Sequence, residues 1–238
     1  MYFNNNEELS YEKDRLLSRA WGYSFFDMHK EAIGECEELV RRDPSDASSY
    51  IELGRYLEDD GEVERAIECY KYVMKRFSDN FQAYLNLGYV FERHMKRNDM
   101  AMVCYEKALE LSPSDEWALN NIGAILQKEG RWQEALGYYE KAYDAVRAHR
   151  GSNSQILHNL AWAYYRCKNH AKAMSSFIEL INDDEYSKTN ASVYYDCGCV
   201  SYRAGDYKRA FKLFEIAVSL SPANRYYRRS CQIAGKKI

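Results

Sequence analysis

An all-α fold is expected for this chain, a solenoid of stacked helix pairs closed by a C-terminal capping helix, and three observations predict it. First, the 3 prolines, Pro44, Pro113 and Pro222, each end a segment of one type: "AIGECEELVRRDP", "AMVCYEKALELSP" and "AFKLFEIAVSLSP". Second, a small residue recurs at a near-constant period, as Ala20, Gly54, Gly88, Gly123, Ala161 and Gly198. Third, each is followed by an alanine (Ala32, Ala66, Ala101, Ala135, Ala173, Ala210) and then by Cys36, Tyr70, Tyr105, Tyr139, Phe177 or Phe214. A motif that returns whole at one spacing marks units that bury their apolar faces against their neighbours.

Taken in order, residues 1–12 read as an N-terminal extension and six units follow, at about 13–46, 47–80, 81–115, 116–149, 154–187 and 191–224. The fourth unit shows why each is a helix pair. Leu119, Ile122 and Leu126 form one apolar stripe at helical spacing, and Ala135, Tyr139 and Ala142 form a second. Between them "KEGRW" offers Gly130, which can take the left-handed conformation that closes a helix. Gly123 lies on the stripe itself, where glycine costs about 1 kcal/mol against alanine. A missing side chain there lets the partner helix approach closely, and the packing gained offsets that cost. The third unit carries one inserted residue in "FERHMKRND", which delays Ala101 by a place. Extra residues, "RGSN" and "KTN", separate the fourth unit from the fifth and the fifth from the sixth. The last segment, 225–238, puts Tyr227, Cys231 and Ala234 on one face and its basic residues on the other, as a capping helix would.

Composition excludes several functions. The formal net charge is -3, which opposes general affinity for nucleic acid. No apolar run approaches the roughly 20 residues that span a bilayer, so no membrane insertion is expected. The opening "MYFNNNEELSYEK" lacks the basic start and apolar stretch of a secretory signal. The 7 cysteines are scattered through apolar-periodic segments, which suggests reduced thiols and a cytoplasmic protein. His29, His94, His149, His158 and His170 fall in different units without a paired ligand spacing. Cys197 and Cys199 stand two apart on a helix, so they point to different sides and cannot jointly hold a metal. No glycine-rich phosphate loop and no nucleophile–base set can be read. The chain is expected to be no enzyme, with no metal and no cofactor.

The small residue, the two alanines, the aromatic and the terminal proline together resemble the tetratricopeptide repeat (TPR) superfamily, over about residues 13–224. The resemblance implies a right-handed α-solenoid of helix-turn-helix repeats whose first helices line a concave wall. Arg19 departs from the pattern, standing where the motif usually has an apolar residue. Two places before each small residue stand Ser18, Glu52, Asn86, Asn121, Asn159 and Asp196. An amide donates and accepts together, so Asn86, Asn121 and Asn159 can hold a peptide backbone, as a similar ladder does in some TPR proteins. The alternative use of such amides is to bridge neighbouring helices. Five places after the small residue run Phe25, Asp59, Arg93, Lys128, Arg166 and Arg203, the last four a cationic stripe. Trp117, Asn120, His158, Trp162, Tyr165, Tyr195 and Tyr202 are expected inward as well, against the acidic Glu52, Glu58 and Asp59 of the second unit. Aromatic and arginine side chains in such numbers suit a protein-binding groove. The expected function is a non-catalytic adaptor that holds an extended, acidic-aromatic segment of another protein. The alternative is an assembly scaffold, homo-oligomeric through its end repeats or convex faces.

Overall fold

The computed structural model describes residues 5–149, 153–183 and 188–238. Among them are thirteen helices and no strand: α1 (Asn5–Phe25), α2 (His29–Arg42), α3 (Ala47–Asp59), α4 (Val63–Arg76), α5 (Phe81–Arg93), α6 (Asn98–Leu111), α7 (Glu116–Lys128), α8 (Trp132–Ala148), α9 (Ser154–Arg166), α10 (His170–Asp183), α11 (Ala191–Arg203), α12 (Tyr207–Leu220) and α13 (Arg225–Gly235). The chain divides after Pro113 into two compact units. In the first, α1–α2, α3–α4 and α5–α6 pair, with α2 against α3 and α4 against α5. In the second, α7–α8, α9–α10 and α11–α12 pair, α8 meets α9, α10 meets α11, and α13 closes on α12. Most of "RGSN" and the end of the fifth expected repeat lie outside the described residues.

Local chemistry sets the helix ends. Asp46, Asn80, Asp115, Asn153, Asn190 and Asn224 precede α3, α5, α7, α9, α11 and α13, and each side chain accepts a first-turn backbone N–H. Each such cap is worth about 1 kcal/mol. Helix α1 reaches back to Asn5, into the segment read from sequence as an extension. Glu12 helps hold it there, accepting from Arg42 of α2 at 3.0 Å. The turn inside every pair has one left-handed residue. Gly61, Gly130 and Gly205 fill it in three pairs, at φ of 85°, 79° and 85°; Asp27, Lys96 and Lys168 fill it in the others, at 56°, 54° and 64°.

The small residues carry the packing within each pair. A Cβ on Gly123 would stand 2.8 Å from Cε1 of Tyr139; on Gly54, Gly88 and Gly198 it would stand 2.6 Å from the rings of Tyr70, Tyr105 and Phe214. What approaches the glycine is therefore an aromatic ring laid flat on its helix. Tyr70, Tyr105, Tyr139 and Phe177 are wholly buried, as is Cys36 in the first pair. Two of these rings also reach back by their hydroxyls: Tyr105 donates to Glu92 and Tyr139 to Gln127, both at 3.0 Å. Tyr70 does not, because Glu58, which holds the matching place, instead lies 3.0 Å from His94 Nε2; the buried Tyr70 hydroxyl has no partner.

Candidate functional site

Residues spaced four, three and four apart share one face of a helix. On α7 that face carries Trp117, Asn121, Ala124 and Lys128; on α9 Gln155, Asn159, Trp162 and Arg166; on α11 Ser192, Asp196, Cys199 and Arg203. These three first helices of the second unit hold most of the residues expected at a groove. Trp117 is 47% exposed, and Lys128, Arg166 and Arg203 are exposed. The face is therefore open at both ends of the helices.

Its centre is a hydrogen-bonded wall. Asn159 Nδ2 donates to Asn120 Oδ1 at 2.9 Å, and Gln155 donates to Asn159 Oδ1 at 3.0 Å. Asn120 in turn donates to Asn121 Oδ1 at 3.5 Å. Asn159 thus bridges α9 to α7, the alternative use of such an amide. Asn120 is buried, 5% exposed, and supports that bridge rather than lining the face. Asn86, on α5 of the first unit, is half-buried. Between α9 and α11, Asp196 Oδ2 lies 3.0 Å from His158 Nε2 and accepts from Trp162 Nε1 at 3.2 Å. The Phe177 ring meets His158 and Trp162 edge-on at 5.8 and 6.2 Å.

Aromatic residues divide between packing and exposure. Tyr195 packs between Phe214 and Tyr227, at 5.5 and 4.7 Å, so it holds the capping helix rather than standing free in a groove. Tyr165 meets Trp162 edge-on at 5.4 Å and stays part-exposed, and Tyr202 rests on Tyr207 at 5.1 Å. Arg166 is held by a residue that sequence counting misses: its guanidinium carbon lies 4.6 Å over the Trp132 ring, at the start of α8. Counting along first helices passes over second helices and turns, where Trp132, Lys168 and His170 stand.

All seven cysteines are free thiols. Burial pushes Cys36 up to about 12 and Cys197 to about 11, so neither is a thiolate at neutral pH. Among the described residues, no three His, Cys, Asp or Glu side chains converge as metal ligands, and no helix is long and apolar enough to cross a membrane.

Comparison with known proteins finds tetratricopeptide repeats in the middle of the chain. A tetratricopeptide repeat profile matches residues 114–185, and a TPR repeat profile matches 95–130. The TPR repeat-containing protein MJ1428 of Methanocaldococcus jannaschii is 23% identical over 175 residues, covering 74% of this chain and 30% of that one. Intraflagellar transport protein 70A of Homo sapiens is 22% identical over 219 residues, covering 83% and 31%. The chain therefore spans under a third of the length of these relatives. Among solved structures, pilF of Pseudomonas aeruginosa superposes with a TM-score of 0.76 at 17% identity, over 97% of this chain and 100% of that one. YrrB, described as a TPR protein with an unusual peptide-binding site, gives 0.65 at 19%, over 84% and 97%. The profile matches identify tetratricopeptide repeats over residues 95–185, and the glycine under a buried ring repeats outside that stretch, at Gly54 and Gly88 before it and at Gly198 after it.

Proposed function

We propose that the chain is a non-catalytic adaptor whose second unit holds an extended segment of a partner protein along the shared face of α7, α9 and α11. One observation carries this reading. The centre of that face is tied from helix to helix through Asn159 and Asp196, while Trp117, Arg166 and Arg203 around it are exposed and Tyr165 is part-exposed. Rigid walls lower the ordering cost of binding, and exposed aromatic and arginine side chains are the groups that anchor interfaces. The bound segment is acidic and aromatic, to match Arg166 and Arg203. The peptide-binding site named for YrrB supports a peptide role on this fold. Asn121 remains the amide offered to a backbone on that face.

Photo-crosslinking residues at Trp117 and Cys199, compared with the exposed Lys141 of α8, test the reading. Mass spectrometry is expected to find one continuous partner segment from the first two positions and not from the third. Equal labelling from all three would refute it.

A second reading, an assembly scaffold, is favoured by one feature of the first unit. Trp21, Phe25 and Phe26 are 67%, 72% and 72% exposed in one aromatic cluster at the end of α1. Light scattering across concentrations, with Phe25→Ser/Phe26→Ser as control, decides it: a mass that climbs for the parent and not for the variant selects the scaffold.

A further inference from the structure

We propose that the second unit carries an oxyanion site for the phosphate of a phosphorylated side chain, built from Arg166, Lys168, Arg203 and His170 around Trp132 and Tyr165. The site rests on the adaptor reading for the peptide that bears the phosphate, and it names the chemistry of one residue in that peptide.

These six residues line one cleft of about 460 Å³. No carboxylate is among them. Arg166, Lys168 and Arg203 form no ion pair among the described residues, whereas other cations of the same unit do: Arg131 bonds Glu129 and Glu134, Arg147 pairs with Glu179, and Lys172 with Glu140. Three positive charges thus converge uncompensated, from the ends of α9 and α11 and the turn before α10.

The Arg166 guanidinium carbon lies 4.6 Å over the Trp132 ring, and no hydrogen bond among the described residues commits its N–H fork. The Lys168 backbone, not its ammonium, is held: its N–H donates to the Tyr165 carbonyl at 3.0 Å and its φ is 64°. Three of the other turns give that left-handed place to glycine; here a lysine occupies it against its conformational preference. His170 lies against Tyr165 at 5.5 Å, and its buried Nδ1 has no hydrogen-bond partner.

Charge and oxygen count select the ligand. A phosphomonoester carries about -1.5 to -2 at pH 7 and offers three strong acceptor oxygens. That suits two guanidinium forks and an ammonium. A single carboxylate, with one charge and two oxygens, leaves two of the three cations unanswered.

Nuclear magnetic resonance on the full chain tests the site, reading the Trp132 indole N–H and the His170 ring as O-phosphoserine, glutamate and inorganic phosphate are added separately. O-phosphoserine is expected to shift both signals saturably, with an affinity at least about tenfold above glutamate, the worth of one charge-assisted hydrogen bond. Arg166→Gln and Arg203→Gln should each weaken it by about tenfold, with Arg147→Gln unchanged. Equal affinity for glutamate and O-phosphoserine overturns the proposal, as does binding that survives both substitutions. Binding of inorganic phosphate without O-phosphoserine overturns the side-chain source. Photo-crosslinking at Trp117 and Cys199 separates the two readings. A crosslinked segment with no phosphoserine shift removes the phosphate site and keeps the adaptor, and phosphoserine binding with no crosslinked segment overturns the peptide source.

Discussion

Two glycine-to-alanine substitutions, at Gly123 and Gly137, should change stability in opposite directions. An alanine Cβ at Gly123 would lie 2.8, 2.9 and 3.1 Å from Cε1, Cδ1 and Cζ of Tyr139. Carbon atoms pack best at about 3.5 Å or more, so the ring or the helix has to move by about 0.7 Å. Tyr139 has little room, being wholly buried, and its hydroxyl is tied to Gln127 at 3.0 Å. Overpacking of this kind costs about 1–3 kcal/mol, and loss of the Tyr139 hydrogen bond adds about 1. Against that, alanine gains about 1 kcal/mol of helix propensity. The net expectation for Gly123→Ala is a loss of about 1–3 kcal/mol, and each kcal/mol lowers the Tm by about 2–4 °C in a chain of this size. At Gly137 on α8, nothing lies within 4 Å of the added Cβ. Only the propensity term remains there, so Gly137→Ala should gain about 1 kcal/mol. Urea titrations followed by tryptophan fluorescence and far-UV circular dichroism measure both. A Gly123→Ala midpoint equal to or above the parent's would refute the account of the ring resting on the glycine.

Asn159→Ala should cost about 1–3 kcal/mol, because the buried Asn120 carbonyl loses its donor; an unchanged urea midpoint would deny the bridge. Lys168→Gly relieves the left-handed backbone and should raise stability by roughly 1 kcal/mol while weakening O-phosphoserine binding. A destabilised Lys168→Gly would contradict that. For Glu58, burial is the largest influence and raises its carboxyl above the ordinary 4.5, with His94 pulling the other way. Folding then favours the protonated acid, so its contribution is complete below that ordinary value and is lost as pH rises through the raised one. Glu58→Gln should therefore gain on the parent as pH climbs from about 4 to about 7, in urea midpoints taken at each pH. A difference that shrinks over this range would reverse the assignment.

The helix pairs and the placement of Ala20, Gly54, Gly88, Gly123, Ala161 and Gly198 beneath a buried neighbour are legible by counting, because a helix converts sequence spacing into a face. The same counting put Asn121, Asn159, Arg166 and Arg203 on first helices, and Gly130 in a left-handed turn. The expectation that Gly123 admits a helix needed a change of object, since a ring lies there. Partners were beyond reach of the sequence. Asn159 joins Asn120 across 39 positions, His158 reaches Asp196 across 38, and Glu58 turns from Tyr70 to His94 across 36. Each choice is between groups of similar chemistry at neighbouring places, and about 1 Å in how two helices pack settles which hydrogen bond forms. The cleft of Trp132, Lys168 and His170 with Arg166 and Arg203 has the same origin. Its residues come from four helices and a turn, and only the stacking of α8, α9, α10 and α11 makes them neighbours.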